Sequence, residues 1–233
     1  MQIRIETNIA EVQRQLGLQA KQVAYATAVA LTKTAGRVKA AVPSALDSVF
    51  DRPTNYTKQG TYLKMATRSN LEAEVGFKPV QAHYLQLQAD GGTKQPGPAG
   101  LRLPGNIQLN AFGNIPRGLI ARLKAGAQNG TLSAAIVKRL GVTGNRRKGA
   151  APIQLFYGQP QGKGWENAPM GIWRRVPGVN GSKGKLIPVV VFEDTPAKYT
   201  KRLDLEAIAL PIVRTHFETE FSNALANALA TAR

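Results

Sequence analysis

AYATAVALTKTAGRVKAAV, residues 24–42, is the stretch on which the fold class turns. Alanine is the strongest helix former, and its small side chain lets another backbone come close. Outward from this stretch, Ile9, Val12, Leu16, Val23, Ala26, Ala30, Thr34, Val38 and Ala41 recur at roughly helical spacing. Asn8 with Glu11 three residues later predicts a capping box at the start. Pro43 is expected to end or kink the helix, and SALDSVFD to add a short second one. The other end of the chain mirrors this pattern. Leu210, Val213, Phe217, Phe221, Ala224 and Ala228 form an apolar stripe, with Pro211 starting or kinking the last helix. Thr195 and Pro196 predict a cap and first helical position at the opening of this C-terminal part.

Between the two ends the period changes. Residues 1–5 alternate as a short strand, and TYLKMATRSNLEAEVGFK, 61–78, reads as a hairpin turning at RSN. AHYLQLQADGG suits one or two helical turns closed by Gly91. Residues 92–117 are Gly, Pro and Asn punctuation, with a strand expected at Ile107–Leu109. Short helices follow at Arg117–Ala125 and Leu132–Leu140, then a strand near Ile153–Tyr157. GIWRRVPGVNGSKGKLIPVVVFEDTP, 171–196, reads as two strands joined by a glycine-rich tip. The expectation is a single α+β domain over residues 1–233. Its long N- and C-terminal helices pack on a small, mainly antiparallel sheet with long basic loops, and 93–165 is a loop-rich basic insertion.

Charge is the clearest signal in the chain. The 233 residues carry a formal +17, so the isolated molecule repels itself and calls for an acidic counterpart. Between Gly91 and Phe192 the one acidic residue is Glu166, against fifteen Lys and Arg. Tips such as GNRRKG and GVNGSKGK suit phosphate contact, because glycine brings backbone amides close without side-chain bulk. The candidates for contact with nucleic acid or an acidic partner are Arg146, Arg147, Lys148, Arg174, Arg175, Lys183 and Lys185. Trp165 and Trp173 read as core or interface anchors, and no recognition helix or RNA-binding aromatic signature points to base-specific readout.

Little in the sequence points to catalysis. There is no cysteine, which removes disulfides and thiolate metal sites. His83 and His216 are the only imidazoles, too few for a zinc hydrolase without an unusual carboxylate set, and both read as packing. GQPQGKG, 158–164, has one residue too few for a phosphate loop and Gly164 where Ser or Thr should bind magnesium. A metal nuclease would need clustered carboxylates near a lysine; the pairs Glu72/Glu74 and Glu193/Asp194 have no recognisable joint spacing. The start, with Glu6 and Glu11 and no apolar core, does not read as a signal peptide, and no run approaches bilayer length. The expectation is a non-enzymatic protein with no cofactor, no metal and no membrane partner.

The order of segments resembles the phage minor tail protein Z family, among the tail-completion and neck proteins of tailed phages. The resemblance is carried by ATAVALTKTAGRVKAAV, the Trp-containing strand GIWRRVPG, the strand KLIPVVVFEDTP with its Ile-Pro step, and the closing ALPIVRTHFETEFSNALANAL. HYLQLQADGGTKQP is similar to a tyrosine-plus-glycine turn of phage head-to-tail joining proteins. The two ends and about half the chain are covered, and 93–165 has no counterpart. The resemblance implies a virion protein in the neck or head-proximal tail end, assembled in the host cytoplasm. Its partners would be copies of itself in a ring, neighbouring connector, neck or tail-tube proteins, and packaged double-stranded DNA through nonspecific phosphate contact. The rival readings are a free-standing nonspecific nucleic-acid-binding protein and a metal-dependent nuclease.

Overall fold

The computed structural model describes residues 1–6, 20–98, 100–141, 153–178 and 184–231. The expected capping box at Asn8 and the helical positions up to residue 19 lie outside the described residues, as do Arg146, Arg147, Lys148 and Lys183. The fold is α+β, with six helices and nine strands among the described residues. The chain divides into two compact units. A terminal unit takes Met1–Thr93 and Lys198–Arg233, and a middle unit takes Lys94–Ala197. Where a single domain with an insertion at 93–165 was expected, the second unit starts at the same point and continues to Ala197. It must, because the strand near 155 has its hydrogen-bonding partners further along the chain.

In the terminal unit, β1 (Gln2–Glu6), β2 (Thr61–Lys64) and β3 (Glu72–Phe77) form an antiparallel sheet with β3 central. Register fixes its faces: Ile3 opposes Val75, Ile5 opposes Ala73 and Leu63 opposes Val75. This apolar face packs against Leu31, Ala35 and Val38 of α1 (Ala20–Val49), and Ala209, Ile212, Val213 and Phe217 of α6 (Leu205–Ala230) join the same cluster. The two long helices therefore pack together and on the sheet. The small-residue face of α1 is spent on its own chain, with Ala26, Ala30 and Ala35 fully buried.

Both long helices run through a proline. An interior proline costs about 3 kcal/mol through its missing N–H and its clash with the preceding turn. In α1, Val42 and Leu46 flank Pro43 at 0 % exposure, in a cluster with Phe77, Leu85, Leu203 and Leu205. That burial carries the helix on through SALDSV, so it does not end at Pro43 and no separate second helix forms there. The last helix begins at Leu205, not near Pro196, because Asp204 is the residue that caps it, accepting from the amides of Glu206 and Ala207. Residues Ala197–Tyr199 form β9, which pairs with β4 (Gly92–Lys94). Two further helices complete this unit, α2 (Asn55–Lys58) and α3 (Pro79–Asp90), the latter opened by Pro79 and closed at Gly91.

The middle unit has a four-stranded antiparallel sheet in the order β5 (Leu101–Pro104), β8 (Lys185–Glu193), β7 (Met170–Val176), β6 (Gln154–Gly158). The expected strand at 107–109 is absent, and β5 lies just before it. Leu119 and Leu123 of α4 (Leu119–Asn129) and Ile136 of α5 (Ala134–Arg139) pack with Leu155, Ile172, Val189 and Val190 of the sheet. A register shift at Ile172/Trp173 leaves Val189 as an extra residue in β8. Gly105 crosses tightly there: a Cβ on it would stand 2.4 Å from the Pro188 carbonyl oxygen, so no other residue fits without movement. Among the described residues, no helix is long and apolar enough to cross a membrane.

Candidate anion-binding surface

The register of the sheet assigns Arg174, Arg175 and Lys185 to faces. Successive residues of a strand point to opposite sides, so Arg174 and Arg175, adjacent on β7, cannot share a surface. Arg174 lies on the helix-covered side. Its Nη1 donates to the carbonyl of Leu140, the C-cap of α5, at 2.9 Å, and its Nε is buried without a partner. A cation at the carbonyl end of a helix neutralises unpaired acceptors. Arg174 is thus a structural anchor as well as a charge.

Arg175 lies on the other side of the sheet. Its guanidinium sits 5.1 Å from the centre of the Phe156 ring. With Gln154, Phe156, Gln161 and Lys185 it lines an open groove of about 740 Å³. Of the nominated residues, Arg175 and Lys185 both line this groove, although Lys185, at the start of β8, pairs with Val176 and so falls on Arg174's side of the pleat; Arg146, Arg147, Lys148 and Lys183 lie outside the described residues. Trp173, buried on the groove side of β7, meets Trp165 edge to face at 5.5 Å, the packing role expected of both.

A second basic site escaped the sequence reading. Arg102 of β5, Arg117 before α4 and Lys124 within α4 line one cavity of about 640 Å³. Lys124 Nζ lies 4.1 Å from the Tyr157 ring centre and 5.0 Å from that of Phe192, rings that are themselves edge to face. No spacing rule links positions 102, 117 and 124, and with the strand expected at 107–109 nothing placed Arg102 beside α4.

Two of the three carboxylates of the middle unit, Glu166 and Glu193, are engaged by neighbouring backbone and hydroxyl groups. Glu166 accepts from the Gly164 amide at 2.9 Å, and Glu193 from the Thr195 hydroxyl at 2.7 Å and its amide at 3.2 Å. These bonds favour the ionised form and hold both carboxyls below the ordinary glutamate value, through the Gly164 amide for Glu166 and the Thr195 hydroxyl for Glu193. Every ion pair among the described residues belongs to the terminal unit: Arg4–Glu72, Lys33–Glu220, Arg37–Glu220, Arg52–Asp51, Lys58–Asp47 and Lys201–Asp204. The middle unit holds fifteen Lys and Arg against three Asp and Glu, so it carries +12 of the +17. Among its described cations, Lys124 and Arg175 rest on rings, and Arg139 and Arg174 donate to carbonyl groups.

The carboxylate pairs considered for a nuclease fall in different units. Glu72 and Glu74 stand on the polar face of β3, Glu72 paired with Arg4 at 3.2 Å and Glu74 accepting from the Tyr62 hydroxyl. Glu193 and Asp194 belong to the other unit. Among the described residues, no three His, Cys, Asp or Glu side chains come together as a metal site. His83 is exposed on α3 and His216 is half-buried on α6. No family model, curated protein or solved structure matches the chain.

Proposed function

We propose that this chain is a structural virion protein of a tailed phage, acting in tail completion or head–tail joining as one subunit of a ring around the DNA path. The observation that carries the reading is the charge arrangement: a +12 unit in which no described cation is paired with a carboxylate. Such a surface is neutralised only by a polyanion or an acidic neighbour outside the chain. A ring multiplies each subunit's cations around its lumen and attracts phosphate without reading sequence. The resemblance of the segment order to the minor tail protein Z family suggests the biological setting. Heterologous contacts close into a ring when the rotation per subunit fits.

The chain acts by assembly and not by catalysis. Its partners are copies of itself, connector, neck or tail-tube proteins, and packaged duplex DNA. Arg175 and Lys185, with Arg146, Arg147, Lys148 and Lys183 outside the described residues, supply the surface for DNA or an acidic partner, and Arg174 holds β7 to α5 behind them. Electron microscopy of particles assembled without this chain tests the proposal. Unjoined heads and tails are expected; joined, infectious particles would sink it. Replacing Arg146, Arg147 and Lys148 by Ala together should lower DNA retention while the ring still assembles. Lost assembly with normal retention in the remaining particles would assign those three to a protein contact.

The same charge arrangement also favours nonspecific nucleic-acid binding by the free chain. That reading predicts duplex binding by the purified protein with no partner present, and no effect of its absence on head–tail joining. Magnesium-dependent cleavage abolished by a chelator, and lost on changing Glu72, Glu74, Glu193 or Asp194, would replace both readings with a nuclease.

A further inference from the structure

We infer that the cavity lined by Arg102, Arg117 and Lys124 is a phosphate-binding site that takes a phosphodiester group of the duplex backbone. The inference rests on the proposal that the middle unit borders DNA, and it assigns a site that the sequence does not nominate. Three cations from three separate parts of the chain line one cavity of about 640 Å³. The other lining residues are Pro104, Gly113, Asn114, Ile115, Pro116, Gly118, Ile120 and Ala121, so no carboxylate is among them. Three like charges around one recess repel one another, and an anion in the recess converts that repulsion into attraction.

The cavity is built to present those charges. Lys124 is held against the faces of Tyr157 and Phe192, which fixes its flexible stem and leaves the ammonium hydrogens for a ligand. Arg102 and Arg117 are exposed, and an arginine fork matches phosphate oxygens two at a time. Gly118, Ile120 and Ala121, the cap and first turn of the eleven-residue α4, form part of the wall, so the positive end of that helix adds to the same field. The lining offers no aromatic face for a base to stack on, and its polar groups suit backbone phosphate, not sequence.

The test uses the full chain and a fluorescein-labelled duplex of about 20 base pairs, followed by anisotropy across roughly 50 to 200 mM NaCl. The triple variant R102A/R117A/K124A is compared with K64A/K198A/R214A, which removes the same charge from exposed positions of the terminal unit. The pocket variant should bind about tenfold or more weakly than the control, and its log–log salt slope should be smaller by about 2 to 3, near one per lost phosphate contact. Because Lys124 also packs on two rings, a second variant guards against a folding defect. Ala121→Glu leaves every cation in place, sits at an exposed first-turn position where a carboxylate suits the helix, and puts an acid into the recess. It should lose affinity comparably while its circular dichroism stays that of the parent.

If the parent binds duplex and both pocket variants match the control, the pocket inference is wrong and the wider reading stands. If the parent fails to bind duplex at the lowest salt, the reading of the middle unit falls, and this site with it. A pocket variant that loses binding to labelled polyglutamate but keeps duplex affinity would make the cavity an acidic-protein contact, and that too overturns the inference.

Discussion

The terminal and middle units are both antiparallel sheets with helices on one face, yet they dispose of charge in opposite ways. The terminal unit has sixteen Lys and Arg against eleven Asp and Glu. Its pairing reaches inward: Glu220 on α6 is only 9 % exposed and meets both Lys33 and Arg37 of α1, with an Arg37 bond of 2.6 Å. Charge there helps fix how two helices lie. In the middle unit Arg175 lies over Phe156 and Lys124 over Tyr157 and Phe192, contacts that hold a cation in place without cancelling it. A neutralised pair has nothing left for a ligand, whereas a cation on a ring keeps its field. On the proposed reading, the first unit is organised for its own stability and the second for a ligand outside the chain.

The sharpest test of the contrast is whether the two units can be perturbed separately. Both tryptophans of the chain, Trp165 and Trp173, lie in the middle unit, so indole emission reports on that unit. The signal at 222 nm is dominated by the 30 residues of α1 and the 26 of α6. Leu31→Ala removes a side chain with 0 % exposure from the terminal core. It should cost about 2–5 kcal/mol in the transition followed at 222 nm. Leu123→Ala, equally buried in the middle core, should cost a similar amount in the transition followed by emission. If either variant moves both signals together, the units unfold as one and the contrast has no energetic meaning.

Salt should divide them next. Raising NaCl from about 0.05 to 0.5 M screens both repulsion and attraction, and shortens the Debye length from above 10 Å to below 5 Å. The middle unit, self-repelling at +12, should gain about 1 kcal/mol in its emission-monitored urea midpoint, and the terminal unit, with its ion pairs, should gain nothing or lose slightly. A middle unit indifferent to salt would mean that its cations are already neutralised within the chain.

How much of this was legible in the sequence follows from what each signal encodes. Alternation marked β1 and β3, because Ile3 and Ile5, or Ala73 and Val75, declare a face by themselves, and apolar flanks about a turn marked β2, β7 and β8. The helix does not end at Pro43 because the proline's local cost, visible in sequence, is offset by burial against Phe77, Leu85 and Leu203, far along the chain. Thr195 and Pro196 looked like a helix start, but the Thr195 hydroxyl donates to Glu193 and the chain stays extended through Tyr199. β5 was misplaced since Leu101 is its one part-buried residue, so it has no burial pattern to read. The basic middle was plain from composition. Its division into surfaces was not: RR reads as one patch, and the pleat sends Arg174 to α5 and Arg175 to the groove. The cavity at Arg102, Arg117 and Lys124 needs tertiary structure to exist at all.

Acid should weaken the terminal unit through Glu220. Arg37 first, and then Lys33, holds its carboxyl below the ordinary value of 4.5. A depressed carboxyl contributes stability that is fully present above its unfolded value and is lost as pH falls through the folded one. Glu220→Gln should therefore lower the 222 nm midpoint at pH 7 and flatten its decline between about pH 5 and 3. The emission-monitored midpoint should keep its own pH profile. A variant whose acid limb matches the parent's would show that the pair sets no part of the helix packing.

The smallest expected change in stability is the most informative about function. Arg175→Ala removes a ring contact worth about 0.5–1 kcal/mol at an exposed site. It also removes one of the charges that repel one another across the middle unit, so the two effects oppose. The emission-monitored midpoint should shift by less than about 0.5 kcal/mol, while affinity for duplex DNA falls and the salt slope drops by about one. Arg174→Ala should behave in the reverse sense. It strips a charged donor from the Leu140 carbonyl and should cost about 1.5–3 kcal/mol, with DNA affinity changed only through folding. If Arg175→Ala proves as destabilising as Arg174→Ala, both arginines are held for the fold, and the groove of Phe156 and Lys185 loses its claim to a ligand.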